Sequence, residues 1–238
     1  MDQFISFVNQ TEGRDKLCKV IQYGSRIVKY QTADSNKQLA AKFQGLFEGM
    51  RDARKLFRLF KSIVEYQKIQ QLAAAKSPQH IKTLNILSRL GFFFYWIFDN
   101  LQILSKVKFI EGVDKDKAGK RAAFFWLMGL LFSIAVTLIQ MYEVAKEEGL
   151  LNAEIRATGS SADERVQASF KDRRAKIAKA KFDNTLNLLK NMGDTVTATQ
   201  ALSIPKNWFG FDFNDGQVGF GGLLSAVITC YQLYPAKK

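Results

Sequence analysis

The sequence predicts an all-α protein of membrane-associated helices, with one or two transmembrane helices and an N-terminal amphipathic helical region. Three observations carry this. Only three prolines, Pro78, Pro205 and Pro235, interrupt 238 residues, and few stretches show the strict apolar/polar alternation of half-buried strands. Hydrophobic residues make up 47% of the chain while its mean hydropathy is −0.12, so apolar and charged side chains are sorted into separate stretches or separate helix faces. One run, 122–142, holds no charged residue.

The chain falls into five segments: an amphipathic helical region at 1–80, an aromatic helix with a basic connector at 81–121, the uncharged run at 122–142, a polar helical segment at 143–217 with a flexible loop near 157–161, and a glycine-rich anchor at 218–238. In the first, Thr11 is a plausible N-cap for a helix whose Leu17, Val20, Ile21, Gly24, Ile27 and Val28 recur at three- and four-residue steps, with Arg14, Lys16, Lys19, Arg26 and Lys29 opposite. A polar break at 31–37 ends it. A second helix is expected from about Gln38 to Ala75, because Leu39, Phe43, Leu46, Phe47, Met50, Phe57, Phe60 and Val64 keep one stripe. At about 100° per residue from Met50, the apolar side chains centre near about −40° and Arg51, Arg54, Lys55, Arg58 and Lys61 near about +75°, so the bases flank the apolar face. Such a stripe suits helix packing as well as a membrane surface. Bulky Phe and Met on the apolar face, with long basic side chains able to snorkel to headgroups, favour the surface.

Beyond Pro78, the run Leu90 to Phe98 is apolar and aromatic but too short to span a hydrocarbon core of about 30 Å; Tyr95 and Trp96 suit an interfacial helix, and a buried core helix fits equally. Residues 122–142 would extend about 31 Å as a helix, enough to cross. Lys120 and Arg121 precede this run and Glu143 follows it. The basic cluster Lys171, Arg173, Arg174, Lys176, Lys179 and Lys181 reads as a solvated or headgroup-facing surface. Residues 218–234 are uncharged and rich in Gly219, Gly221, Gly222, Ser225 and Ala226, the short limit of a second span. Residues 102–121 hold six Lys and Arg, and 143–162 hold two, which places the N-terminal half in the cytosol; two spans return the C-terminus to the same side.

The net charge of +13 calls for an acidic partner, and anionic lipid headgroups fit better than nucleic acid, since no nucleic-acid-binding motif accompanies the bases. Cys18 and Cys230 lie near opposite ends and form no CxxC site, and His80, the sole histidine, has no ligating neighbours, so no metal is expected. Neither a GxxxxGK[ST] phosphate loop nor a GxSxG elbow occurs. The expectation is a protein without cofactor or catalytic chemistry. The N-terminus lacks the basic and apolar regions of a cleaved signal, and Ala236-Lys237-Lys238 is not an SKL-type address.

The stretch from Thr11 to Arg26 resembles the TxGRDKxxRxxQYxxR signature of the peroxin-eleven family, matching at Thr11, Gly13, Arg14, Asp15, Lys16, Gln22, Tyr23 and Arg26, with Lys19 where the pattern has Arg. Gly49 to Lys61 looks like that family's amphipathic helix, and Gly219 to Ala226 followed by Tyr231-Gln-Leu-Tyr234 resembles its C-terminal anchor. The resemblance implies an integral peroxisomal membrane protein that elongates the organelle before fission, self-associates, and works with a fission adaptor and a dynamin-related GTPase. It also implies an alternative, an oligomeric metabolite pore, which Ser133, Thr137 and Gln140 would line. In the mechanism that joins both lines of reasoning, Leu46, Phe47, Met50, Phe57, Phe60 and Val64 enter the cytosolic leaflet of the membrane while Arg51, Arg54, Lys55, Arg58 and Lys61 meet headgroups. Ser160 and Ser161 would be accessible to modification in the loop near 157–161, whereas the topology above puts the whole 143–217 segment in the lumen, away from cytosolic kinases.

Overall fold

Each proline sits where a helix starts or stops. Pro78 immediately precedes one helix, Pro205 lies in the first turn of another, and Pro235 follows the last. In between, the computed structural model, which describes residues 1–158 and 163–235, is helical almost throughout and holds no strand among those residues. Its helices are α1 (Asp2–Asn9), α2 (Thr11–Thr32), α3 (Lys37–Phe57), α4 (Lys61–Ala74), α5 (Gln79–Lys106), α6 (Lys115–Thr158), α7 (Glu164–Ala201), α8 (Ile204–Phe209) and α9 (Asp215–Leu233).

Local sequence explains most boundaries. Gln10 in extended conformation, rather than Thr11, precedes α2. Asn36 caps α3 by accepting from the Leu39 N–H at 2.9 Å, and Asn214 and Gln217 cap α9 with a reciprocal capping box. The helix expected as one piece over 38–75 is two. It breaks at Phe60, which adopts a left-handed φ of 63°. A non-glycine residue there costs of order 1–3 kcal/mol, so tertiary contacts must hold it. The contacts are visible: with its amide oxygen turned toward α4, Asn100 of α5 accepts from the Phe60 N–H at 3.2 Å.

α5 and α6 form an antiparallel hairpin in which the backbones nearly touch. A Cβ on Gly91 would lie 2.5 Å from the Gly129 nitrogen, and the Ser88 hydroxyl donates to the Gly129 carbonyl at 2.9 Å. The aromatic run packs here, with Tyr95 stacked on Trp126 at 5.5 Å and Phe98 on Phe125 at 5.6 Å. It therefore lies inside a long helix paired along α6. α6 runs well past the expected borders at 121 and 143; it is the one helix among the described residues long and apolar enough to cross a membrane, a mark α9 with 19 residues does not reach.

α7 returns alongside α6. Arg173 meets Glu154 at 2.7 Å, Asn191 donates to Ser133 at 3.0 Å, and Ala198 packs against Leu127 and Leu130. The polar segment expected to lie wholly to one side thus passes back beside the apolar stretch. Of the loop expected near 157–161, residues 157 and 158 end α6; the remainder, with Ser160 and Ser161, lies outside the described residues, as do Lys237 and Lys238. α9 runs antiparallel to both α2 and α7: Tyr23 lies against Gly222, Gly193 meets Gly221 backbone to backbone, and Phe7 lies 5.6 Å from Tyr234. The two ends of the chain thus meet near the Glu143 end of α6's apolar stretch, opposite the basic connector.

Beside apolar clusters such as Leu127, Leu130 and Ala198, the polarity is partly reversed. Phe124, Leu131 and Leu138 of α6, Leu189 and Met192 of α7, and Phe220, Val227 and Tyr231 of α9 face outward, whereas Asp15, Lys19, Arg54, Arg58, Asp99 and Ser225 are buried. A water-soluble helical bundle buries the opposite set.

Candidate functional site: a buried charged seam beneath an apolar ridge

Helical spacing puts Asp15, Lys19 and Gln22 on one face of α2, Arg54 and Arg58 on one face of α3 and its exit, and Tyr95 and Asp99 on one face of α5. These three faces meet. Arg54 Nε lies 3.1 Å from Asp15 Oδ1, and its Nη1 donates to Gln22 Oε1 at 2.6 Å. Arg58 donates to the Arg54 carbonyl at 2.9 Å and to the Tyr95 hydroxyl at 3.0 Å, and it reaches Asp99 at 3.4 Å. Lys55 pairs with Asp99 at 2.9 Å, and Lys61 pairs with Glu12 at 3.2 Å. The seam continues through Lys19, which bonds Asp194 of α7 at 2.7 Å and Ser225 of α9 at 2.8 Å. At its edge, Glu65 of α4 meets Arg89 of α5 at 3.3 Å.

Burial alone would push the Asp15 carboxyl up, but Arg54, Lys16 and Arg58 outweigh it and hold it well below the usual carboxylate range. Charges withdrawn from water in this way stay ionised because each has an opposite charge in contact.

The signature stretch finds a structural explanation here. Gly13 lies under α1, where a Cβ would fall 2.0 Å from the Phe7 carbonyl oxygen. Asp15 and Gln22 receive Arg54; Lys16 sits 3.2 Å from Asp15; Tyr23 fills the space above Gly222; Arg26, with Lys29, clamps Asp215 at 2.7 Å. Arg14 donates to the Val8 carbonyl at 2.6 Å, and Thr11 opens α2 at the surface. The signature is a connector that ties the N-terminal helices to α3 and α9.

Asp215 yields a pH prediction. Burial pushes its carboxyl up, but hydrogen bonds and charge from Lys29 and Arg26 win and lower it below 3.8. The folded chain then binds fewer protons at this site than the unfolded one. Stability from this clamp is whole above pH about 4 and drains as pH falls toward the lowered value. Melting temperatures between pH 7 and 3 should show this loss, and Asp215→Asn should remove that part of the slope.

The five bases expected at headgroups divide. Arg54 and Arg58 are 6% and 7% exposed and face the seam, Lys55 and Lys61 are largely covered by their acids, and Arg51 is the most open, lying over the Phe47 ring at 5.7 Å. Of the expected inserting residues, Leu46, Phe57, Phe60 and Val64 are exposed, while Phe47 and Met50 are half-buried. Phe60 stands out at 72%, and Leu56 and Ile63 join the ridge. The acids that receive the bases, Asp99, Asp194 and Asp215, were not singled out from the sequence. The available signal was Asp99 closing an otherwise aromatic run on a helix, a position that needs a cationic partner.

Among the described residues no group of His, Cys, Asp and Glu is placed to hold a metal ion. No solved structure matches the chain. Curated relatives do. The chain is 29% identical to a peroxisomal membrane protein 11 homolog of Dictyostelium discoideum, covering 99% of this chain and 94% of that protein. It is 29% identical to peroxisomal membrane protein 11A of Bos taurus over 100% and 98%, and 25% identical to protein 11E of Arabidopsis thaliana over 98% and 91%. The family model for peroxisomal biogenesis factor 11 (PEX11) matches residues 1–234, nearly the whole chain, and the chain belongs to that family.

Proposed function

We propose that this chain is an integral protein of the peroxisomal membrane that bends and elongates it ahead of fission. The observation that carries the reading is the apolar ridge of α3 and α4, joined through α5 to the start of the apolar stretch of α6. The Phe60 N–H lies 3.2 Å from the side-chain amide of Asn100 of α5, four residues from Trp96, which packs on Ala122, where the uncharged run of α6 begins. With α6 crossing the bilayer, Phe57, Phe60, Ile63 and Val64 lie at the border between headgroups and acyl chains.

Side chains wedged into one leaflet expand its area and favour curvature. Fully burying Leu46, Phe57, Phe60 and Val64 contributes at most about 1.5–3 kcal/mol each before ordering costs. Arg51 supplies a headgroup contact in the conformation seen; Arg54, Lys55, Arg58 and Lys61 join it when α3 and the start of α4 swing away from Asp15, Asp99 and Glu12.

The six Lys and Arg of 102–121 orient that connector to the cytosol. In this reading Phe7 and Tyr234, which pack together near the Glu143 end of the apolar stretch, would lie toward the other face, whereas the sequence expectation puts both ends in the cytosol. Anionic lipids and further copies of the chain are its partners in this reading, and a fission adaptor and a dynamin-related GTPase follow from the family. It is a remodelling factor and not an enzyme.

The test is the full chain reconstituted in anionic liposomes, viewed by electron microscopy. The parent should draw tubules. Phe57→Glu with Phe60→Glu should abolish them while the melting temperature stays within a few degrees, since both side chains are already exposed. Tubules drawn equally by the double variant would discard the wedge.

A second reading, the oligomeric metabolite pore, is favoured by the polar interior between α2, α5, α6 and α7, where Ser133 bonds Asn191. Thr137 is buried and bonds the Ser133 carbonyl of its own helix. Flux of a small solute from the same liposomes, unaffected by the double variant, would move the weight to it.

A further inference from the structure

A half-open cavity of about 850 Å³ enters the bundle from its surface, with walls from α2 to α7 and from α9. Eleven Lys and Arg line it against five Asp and Glu, so its interior carries more positive charge than its own acids neutralise. The pairing shows where the surplus lies. Asp15 is shared by Lys16 at 3.2 Å, Arg54 at 3.1 Å and Arg58 at 3.7 Å. Lys190 donates to two amide oxygens, of Asn187 at 3.0 Å and Gln232 at 2.9 Å, and the acid whose charge it feels, Asp194, is already bonded by Lys19 at 2.7 Å.

A second observation is independent of charge. Trp96 is 8% exposed, lines the cavity, and keeps its indole N–H buried without a hydrogen-bond acceptor. Leaving a buried donor unmade costs of order 1–3 kcal/mol, so such a group marks a place where an acceptor belongs. Arg58 and Lys61 stand over the same ring at 5.2 and 5.0 Å. The unpaired carboxylate oxygens of the region do not offset this, for Asp15 Oδ2 lies 3.2 Å from Lys16 and Asp99 Oδ2 lies 3.4 Å from Arg58.

We propose that this cavity binds an organic phosphate. Its multiply charged head is held by Lys16, Lys190 and the Trp96 indole N–H, and its less polar part rests on Trp126, Phe92 and Leu130. The volume falls within the range of about 300–1,000 Å³ usual for small-molecule sites. Burial pushes the Lys55 and Lys61 amines down by more than Asp99 and Glu12 raise them, and an added anion in the cavity relieves that penalty. The chemistry is shared by a phospholipid headgroup entering from the side and a soluble phosphate ester.

The experiment uses the full chain in nanodiscs of phosphatidylcholine, titrated with sodium pyrophosphate, and in parallel discs with 20% phosphatidylserine. Melting temperature and tryptophan emission are the readouts. Saturable stabilisation of about 5 °C or more is expected at a hundredfold excess over Kd. Lys190→Gln and Lys16→Gln should each weaken binding about tenfold or more, one such factor corresponding to loss of a charge-assisted bond. Trp96→Phe, which keeps the ring packing, should weaken it about threefold. Lys171→Gln on the open face of α7 should leave it unchanged.

Response to pyrophosphate assigns the head of the site to a soluble phosphate, and response to phosphatidylserine alone assigns it to a lipid headgroup. Absence of saturation with either, or equal loss in Lys171→Gln, overturns the proposal. Should a lysine variant unfold before titration, Trp96→Phe still decides. The proposal stands apart from the wedge: Phe57→Glu with Phe60→Glu should end tubulation and keep pyrophosphate binding.

Discussion

Asp15→Ala should cost this protein about 3–5 kcal/mol, the range for removing one partner of a buried ion pair. Asp15 is 2% exposed and receives Arg54 at 3.1 Å, with Lys16 and Arg58 within 3.7 Å. Its loss leaves buried Arg54 with only the Gln22 amide oxygen and removes one of the two acids that face Arg58. The chain has two ways to respond. It unfolds, or α3 leaves α2 and carries Arg54 and Arg58 to the membrane surface. Denaturant titration in detergent measures the first, and binding to anionic liposomes measures the second. Stability unchanged with liposome binding unchanged would show that the seam holds nothing. Asp15→Asn, which keeps shape and hydrogen bonding without charge, should fall between the parent and Asp15→Ala.

The second large effect is expected at Gly91. A side chain there meets backbone rather than a movable side chain: Gly129 N at 2.5 Å, Gly129 Cα at 2.7 Å and the Phe125 carbonyl at 3.0 Å. Gly91→Leu must therefore force α5 and α6 apart and unstack Tyr95 from Trp126 and Phe98 from Phe125. Overpacking of this kind costs typically about 1–3 kcal/mol, and more where backbone is the obstacle. Near-ultraviolet circular dichroism should report the lost aromatic packing, alongside a drop in melting temperature. At Gly45, whose Cβ would meet nothing within 4 Å, Ala should instead be neutral to stabilising, since alanine favours helix by about 1 kcal/mol over glycine.

The contrast between α6 and α3 shows what could be read in advance. An uncharged run such as 122–142 announces itself in any context, because no arrangement of neighbours makes 21 uncharged and mostly apolar positions hydrophilic. The stripe on α3 was equally visible, but a periodicity is the same whether its apolar side faces in or out. The direction was decided by Asp15 and Asp99, which lie 39 residues before Arg54 and 41 after Arg58 in the chain. The break at Phe60 gave no warning either. Neither proline nor glycine marks it, and the group placed to accept the freed N–H, the Asn100 side-chain amide, is distant in sequence. The return of α7 beside α6 was hidden for a similar reason: Asn191, Asp194 and Thr195 look solvated until Ser133 and Lys19 are seen to meet the first two. The signature from Thr11 to Arg26 was legible as a mark of family, and the packing assigns its members their tasks.

The reversed polarity of the bundle sets a rule for how this protein tolerates change. In a water-soluble helical protein, random substitution is harmless outside and damaging within. Here a swap of Leu131 for Ile or Phe220 for Met should pass unnoticed, while a lysine at either place, harmless on most proteins, should keep the chain from its membrane. At the interior positions of Lys19, Arg54 and Asp194 the usual conservative logic also inverts: a change that lowers charge is the severe one. A library scored for membrane insertion would therefore draw the molecule inside out, with its most permissive apolar sites tracing the surface that lipid covers.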